Sequence, residues 1–195
     1  MHPLYVALNE ILQQKHHGTY RESPIIAALL HDTVEDTDAT FSDINEKFGK
    51  HMESVVTNLT NHPEWDDWKK AGHLTPTEKS ALQFINAVKD DDSLSVKFDD
   101  RFHNLETIRY KEPKKQVQKI LDTLNVGFIE HAEKAGKIYF LIQLYLTIKR
   151  YLTDENIETF TEDPQTAKRL RDESLIRIKE ILSKHREEFR KNIAQ

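Results

Sequence analysis

The chain has no cysteine, and it has only 5 glycines and 6 prolines among its 195 residues. Without cysteine it can form no disulfide, no thiolate metal site and no cysteine nucleophile, so a metal ion could be held only by His, Asp and Glu. So few turn-forming residues argue against a sandwich or barrel of many short strands. The length suits a single ordinary domain, and we expect it to be all-α.

Long apolar runs and a basic surface are also missing. No apolar run approaches the roughly 18 residues of a membrane span, and residues 1–10 lack the pattern of a signal peptide, so we expect a cytoplasmic protein that binds no membrane. Residues 1–110 carry 11 Lys and Arg against 19 Asp and Glu, and residues 111–195 carry 17 against 14. Neither part has the basic field of a general nucleic-acid surface, so we expect no nucleic-acid partner.

Helix starts are marked by prolines. Five prolines each precede apolar residues at three- and four-residue spacing, and proline is favoured in the first turn of a helix. These are Pro3, Pro24, Pro76, Pro113 and Pro164. Thr75 and Glu78 form a capping-box pattern around Pro76, and Asp163 can cap the helix that begins at Pro164.

The remaining segments are predicted from apolar spacing. Helices are expected at 41–48, ended by Gly49, and then at 52–59, 94–109 and 138–152, and one long helical pattern runs from Pro113 to Gly136. Residues 61–73 show no clear period and are predicted to form a long loop, and the acidic residues 90–92 are predicted to break the helical pattern. The whole indicates one helical domain with a C-terminal helical extension.

The segment AALLHDTVEDT, residues 27–37, is the first candidate for chemistry. If the helix continues through it, His31 and Glu35 lie four residues apart, as do Asp32 and Asp36, so four polar groups cluster at a helix end. Acidic side chains are unfavourable there because the helix dipole favours cations. A bound metal ion would supply the missing positive charge. The alternative is a helix that simply runs out into solvent.

The second candidate is VKFDDRFHNLETI, residues 96–108. Asp100, Asn104 and Thr107 stand at i, i+4 and i+7, which places them in one polar line on a helix. Such a line suits a face that binds a ligand and a substrate, although polar lines are also common on solvated helices.

Together, AALLHDTVEDT and VKFDDRFHN resemble the hydrolase domain of the RelA/SpoT homologue family, a branch of the HD-type metal phosphohydrolases. The corresponding family stretches read close to AALLHDVVEDT and VKLADRLHN. Shorter family motifs also match, and they occur in the same order along the chain. They are the HPL of residues 2–4, the FG of residues 48–49, the V..LT pattern within residues 55–60, and residues 120–136. The resemblance implies an HD-domain helical bundle at residues 1–140, with residues 141–195 as C-terminal helices packed on the same domain.

The resemblance also implies an activity. The family binds one Mn²⁺ ion and removes pyrophosphate from the 3′ position of guanosine tetra- or pentaphosphate by attack of a metal-bound water. Carried over position by position, the implied metal ligands are His2, His31, Asp32 and Asp100, the implied catalytic carboxylates are Glu35 and Asp36, and Asn104 and Thr107 match residues that line the nucleotide pocket. Lys97 and Arg101 are candidates for binding the phosphates. A donor set of nitrogen and oxygen without sulfur suits Mn²⁺ or a similar ion.

The chain departs from the family pattern in places. A basic segment that the family carries before its HP motif is not among these residues, Asp99 stands where the family has Ala, and Glu106 stands where it often has Arg. Two other functions are therefore kept open: hydrolysis of another phosphorylated nucleotide, and a non-catalytic homologue that binds a nucleotide or a metal ion. The charged C-terminal helix, residues 168–191, is a candidate surface for a homodimer.

Overall fold

The computed structural model describes the backbone of residues 2–193, and the side chains of these residues except His17, Pro63, Asp66 and residues 188–193. Within this range the chain forms α-helices and no strand, which confirms the expected all-α class. The helices are α1 (His2–His17), α2 (Glu22–Leu30), α3 (Thr33–Asp36), α4 (Phe41–Leu59), α5 (Pro63–Lys70), α6 (Pro76–Ala87), α7 (Asp91–Glu106), α8 (Pro113–Asn125), α9 (Phe128–Lys134), α10 (Ile138–Tyr151), α11 (Asp154–Phe160) and α12 (Pro164–Ile193), with a 3-10 turn at Ile108–Tyr110. None of these helices is both long enough and apolar enough to cross a lipid bilayer.

The predicted helix caps are present. At the start of α6, the Thr75 hydroxyl accepts a hydrogen bond from the Glu78 backbone N–H, and the Glu78 carboxylate accepts one from the Thr75 N–H. At the start of α12, Asp163 Oδ1 accepts a hydrogen bond from the Thr166 N–H at 3.1 Å. Each contact satisfies backbone donors that have no partner within the helix, which fixes where the helix begins.

Two compact units make up the chain, Met1–His103 and Asn104–Gln195. The domain boundary expected at residue 140 was placed by the resemblance to the RelA/SpoT homologue family. These compact units do not test that boundary, so it stays a prediction.

In the first unit, the core is built from α1, α2, α4, α6 and α7. Its buried members are Val6, Ala7, Ala27, Ala28, Ile44, Met52, Val55, Val56, Leu59, Ala87 and Val96. Leu30 and Val34 also pack against this core. These two residues flank His31 and Asp32 in the sequence, so burial of apolar surface anchors the segment that carries both polar side chains.

In the second unit, the predicted single helix from Pro113 to Gly136 is wrong. The chain turns at Gly127, whose φ of 87° and ψ of 16° are left-handed, and α9 begins at the next residue. Phe128 and Ile129 are buried, as are Val117 and Ile120 in α8. The apolar spacing therefore continues through the turn, and the pattern concealed the break.

Three other segments differ from the expectation. Residues 63–70 form α5 instead of a loop, with Pro63 in its first turn and Trp65 buried. The predicted break between helices is present, but it lies at residues 88–90, and Asp91 and Asp92 already belong to α7. Asp90 Oδ1 caps this helix by accepting hydrogen bonds from the N–H groups of Asp92 and Ser93. Acidic side chains are favourable at that end of a helix. The short α11 was not predicted, although the Thr153 hydroxyl caps it by accepting a hydrogen bond from the Asn156 N–H.

Helix α4 is kinked at Gly49, and this kink provides a test of the fold. Gly49 has a φ of 86° and a ψ of 168°, a conformation that is almost restricted to glycine. A Cβ atom there would meet nothing within 4 Å, so the cost of Gly49→Ala is confined to the backbone. We expect this substitution to lower the free energy of unfolding by about 1–3 kcal/mol in chemical denaturation. The exposed neighbour Glu46→Ala is the control and should change it by less than about 0.5 kcal/mol; equal effects would contradict the argument.

Candidate metal centre

Ligand-type side chains from three parts of the first unit come together. His2 lies in the first turn of α1, His31 and Asp32 lie between α2 and α3, and Asp100 lies in α7. One potential ligand atom from each of His2, His31 and Asp32 lies within 4.8 Å of the others. Asp32 Oδ2 is 3.1 Å from His31 Nε2 and 3.8 Å from His2 Nε2. Asp100 Oδ1 is 3.1 Å from the same His2 nitrogen.

The end of α2 sets the direction of the His31 ring. His31 is the C-cap of α2, and its Nδ1–H donates a hydrogen bond to the Ala28 carbonyl at 2.8 Å. In a neutral ring this contact leaves Nε2 without a proton. That nitrogen is buried and makes no hydrogen bond, although Asp32 Oδ2 is nearby. When the ring is neutral, Nε2 is therefore offered to the cluster as a lone pair, the form in which imidazole binds metals.

The helix does not continue through residues 31–36. Asp32 has a φ of −99° and a ψ of −1°, and its carbonyl accepts the first hydrogen bonds of α3, from Glu35 and Asp36. Both of these acidic side chains are exposed. Ending α2 at Leu30 separates the histidine and aspartate from the acidic pair, so the continuous helical cluster considered from the sequence does not form.

The charges of the cluster stabilise one another. Burial alone would raise the pKa of Asp100, but the Lys97 ammonium, the hydrogen bond from His2 and the His31 ring together hold that pKa well below its usual range. Burial alone would lower the pKa of His31, but the Asp32 carboxylate and the Asp100 charge outweigh it and raise that pKa above its usual value. Asp100 is therefore ionised, and the cluster attracts positive charge.

The donor set fits a divalent cation. Two imidazole nitrogens and the oxygens of two carboxylates are ligands that Mn²⁺ and similar ions accept, and cysteine, whose sulfur favours structural zinc sites, is absent from the sequence. Nε2 of His31 is buried without a hydrogen bond, which is a further sign of a metal site because a buried polar atom without a partner is rare.

Lys97 and Arg101 lie inside the first unit, and both side chains are buried. Lys97 Nζ is 3.5 Å from Asp100 Oδ2, and Arg101 Nη2 donates a hydrogen bond to Ser80 Oγ at 3.4 Å. Lys97 thus contacts one oxygen of Asp100 while His2 contacts the other. Their predicted binding of phosphate stays a prediction.

Asp99, the residue that departs from the family alanine, is fully buried. Its Oδ1 accepts hydrogen bonds from Asn9 Nδ2 at 2.6 Å and from Gln13 Nε2 at 3.2 Å. The departure thus joins α7 to α1, the two helices that carry Asp100 and His2.

Glu35 contacts a residue that the sequence did not single out. Its Oε1 accepts a hydrogen bond from the Asn61 backbone N–H at 2.6 Å, and its Oε2 accepts one from Asn61 Nδ2 at 2.8 Å. Gln83 Nε2 in turn donates a hydrogen bond to Asn61 Oδ1. No spacing in the sequence links these three residues, because they lie on α3, after α4 and on α6.

Asn104 and Thr107 lie at the start of the second compact unit. Asn104 is one turn after Asp100 in α7, and Thr107 follows the end of that helix. Their predicted role in binding a nucleotide stays a prediction.

His103 is a second side chain that sequence reasoning missed. Its Nδ1 lies 2.7 Å from His2 Nδ1, and the two ring centroids are 4.7 Å apart. The signal was available in the sequence, since His103 follows Asp100 by three residues and so shares its helix face.

Comparison with known proteins gives consistent results. Residues 1–133 match a family described as HD domain. A guanosine-3′,5′-bis(diphosphate) 3′-pyrophosphohydrolase of Spiroplasma citri is 28% identical over 137 aligned positions, covering 55% of this chain and 17% of the relative. A GTP pyrophosphokinase rsh of Brucella ovis is 34% identical over 138 positions, covering 70% of this chain and 17% of the relative. The chain thus spans about one sixth of the length of these relatives. A crystal structure of lmo0812 from Listeria monocytogenes is 19% identical, with a TM-score of 0.43 over 90% of this chain and 96% of that one.

The cluster predicts stabilisation by a divalent cation. With Mn²⁺ at about 100 times its dissociation constant, binding to the folded form alone adds about 2.7 kcal/mol. For a chain of this size we expect Tm to rise by about 5–10 °C in a thermal melt. The variant Asp32→Asn should lose the rise, because it removes a charged ligand, and the exposed Asp38→Asn should keep it. If Mn²⁺ raises the Tm of both variants equally, the ion binds at a site that does not include Asp32.

Proposed function

Because the chain belongs to the HD-domain family and carries an HD domain of the RelA/SpoT type, we propose that it is a metal-dependent hydrolase. The proposed reaction removes pyrophosphate from the 3′ position of guanosine tetra- or pentaphosphate. The observation that carries the proposal is that His2, from α1, and His31 and Asp32, from the end of α2, have potential ligand atoms within 4.8 Å of one another, with Asp100 Oδ1 3.1 Å from His2 Nε2. A guanosine nucleotide is then the partner, and the expected location is the cytoplasm.

In this proposal, His2, His31, Asp32 and Asp100 hold one Mn²⁺ ion. When bound, a divalent cation at such a site neutralises phosphate charge and lowers the pKa of water. The protein would support it by keeping Asp100 ionised and by leaving His31 Nε2 buried without a hydrogen bond. Lys97 holds Asp100 in place through the second oxygen of that carboxylate.

Glu35 is the proposed general base, with Asp36 beside it. A water oxygen forms a bond to the phosphorus that is attached to the 3′ oxygen, and the bond from that phosphorus to the 3′ oxygen breaks. The Glu35 carboxylate takes a proton from the water, and the departing 3′ oxygen takes one from solvent to become the 3′ hydroxyl of GDP. Guanosine tetraphosphate would thus give GDP and pyrophosphate. The reaction needs no covalent intermediate on the protein, which agrees with the lack of cysteine.

The buried Asp99 side chain is engaged within the first unit. Its Oδ1 accepts hydrogen bonds from two side-chain amides of α1. Its departure from the family alanine therefore has a structural explanation and does not argue against hydrolysis.

The activity is tested by incubating Mn²⁺-loaded protein with guanosine tetraphosphate and measuring GDP and pyrophosphate. Glu35→Gln should lower the turnover rate by about 10²–10⁴-fold, because the amide cannot take the proton, while Mn²⁺ binding stays unchanged. The exposed Glu46→Gln is the matched control and should retain full activity. No turnover by the intact chain would refute the proposal. A panel of other nucleotides should be assayed for release of both phosphate and pyrophosphate. If only another nucleotide is hydrolysed, that nucleotide and not guanosine tetraphosphate is the substrate.

The Asn61 contact generates a separate prediction. Because its backbone and side chain hold both oxygens of Glu35, Asn61→Ala should leave that carboxylate less well oriented. We expect the turnover rate to fall by about 10–100-fold without a change in Mn²⁺ affinity. The control is the exposed Asn45→Ala in α4. An unchanged rate for Asn61→Ala would show that the orientation of Glu35 does not limit the reaction.

A further inference from the structure

The imidazole rings of His2 and His103 contact each other through their Nδ1 atoms. The distance of 2.7 Å between their Nδ1 atoms is that of a hydrogen bond, so one of these nitrogens carries a proton and the other does not. The ring of Tyr5, one turn along α1 from His2, lies with its centroid 4.4 Å from that of His103. His103 is thereby packed against the helix that carries its partner.

The other side of the His2 ring decides how the pair is protonated. His2 Nε2 lies 3.1 Å from the Asp100 carboxylate, whose oxygen accepts the hydrogen bond, so Nε2–H donates it. The other nitrogen, Nδ1, faces His103 Nδ1, and one of these two nitrogens donates to the other. A cation, however, binds only a ring nitrogen that carries no proton. His2 can therefore serve as a ligand through Nε2 only if its proton lies on Nδ1.

His31 shows how this protein meets that requirement elsewhere. Its Nδ1–H donates to the Ala28 carbonyl, a fixed acceptor that leaves Nε2 as a lone pair. For His2, the group in the corresponding position is the Nδ1 of His103. A histidine in that position can accept a proton as readily as it donates one.

We propose that His103 is a positioning residue for the candidate metal centre, which accepts the Nδ1–H of His2 so that His2 presents Nε2 as a ligand. His103 Nδ1 contacts the His2 ring nitrogen that does not face Asp100, so it can hold the proton of that nitrogen while Nε2 faces the cluster. This inference rests on the proposed function only in requiring that a divalent cation binds at this cluster.

The test measures the affinity of the full chain for Mn²⁺ by electron paramagnetic resonance of the free ion, without nucleotide. His103→Leu removes the acceptor and should weaken binding by about 10–100-fold. His103→Asn should restore most of the affinity, because its Oδ1 is attached to Cγ as the histidine Nδ1 is. His73→Leu, at an exposed histidine in the loop after α5, is the control and should bind as the native chain does. Thermal melts of the metal-free variants should show that Leu and Asn at position 103 unfold at similar temperatures.

The outcomes separate this inference from the proposed function. Native protein that binds Mn²⁺, with a Leu variant that binds equally well or an Asn variant that is as weak as the Leu variant, would overturn the role of His103 and leave the hydrolase proposal standing. The expected order of affinities without hydrolysis of guanosine tetraphosphate would support His103 and refute that substrate. A native chain that binds no Mn²⁺ would overturn both.

Discussion

The attraction between carboxylates and imidazoles in the first unit is the interaction on which the site depends. Asp32 and Asp100 both lie near the same His2 nitrogen, and Asp32 also lies against the buried ring of His31. Taking carboxylates out of water is costly, and the nearby imidazoles and the Lys97 ammonium offset part of that cost. The apolar core then acts as a frame, since it fixes α1, α2 and α7 where these four side chains can meet.

Much of this frame was predictable from the sequence, because helix starts depend on a few neighbouring residues. Prolines and the pairs Thr75–Glu78 and Asp163–Thr166 mark boundaries by local hydrogen bonds, and those predictions are confirmed. The wrong predictions concern segments in which the spacing of apolar residues does not show where a helix begins or ends. Apolar residues keep a helical spacing past Gly127, where the chain turns, and residues 63–70 contain too few apolar residues to show a helical period.

The candidate site was predictable where a motif keeps its residues in one segment, as His31 with Asp32 and Asp100 with its neighbours do. Contacts between segments were not. Nothing in the sequence indicates that Asn61 would hold Glu35, or that Asp99 would bond to Asn9 instead of facing the cluster. These contacts depend on how whole helices pack, and the packing is decided by buried apolar surface that single-residue patterns do not describe.

The spacing of the ligands along the chain also has a consequence for folding. His2 and Asp100 are 98 residues apart, yet they are hydrogen-bonded, so their meeting closes a long loop and orders much of the first unit. Such non-local contacts form late, because the entropy of the intervening chain must be lost before they contribute. During synthesis, a nascent chain that ends before Asp100 would already contain the HPL and HD segments but would lack the carboxylate that contacts His2. The contact between His2 and Asp100 is thus tied to completion of α7.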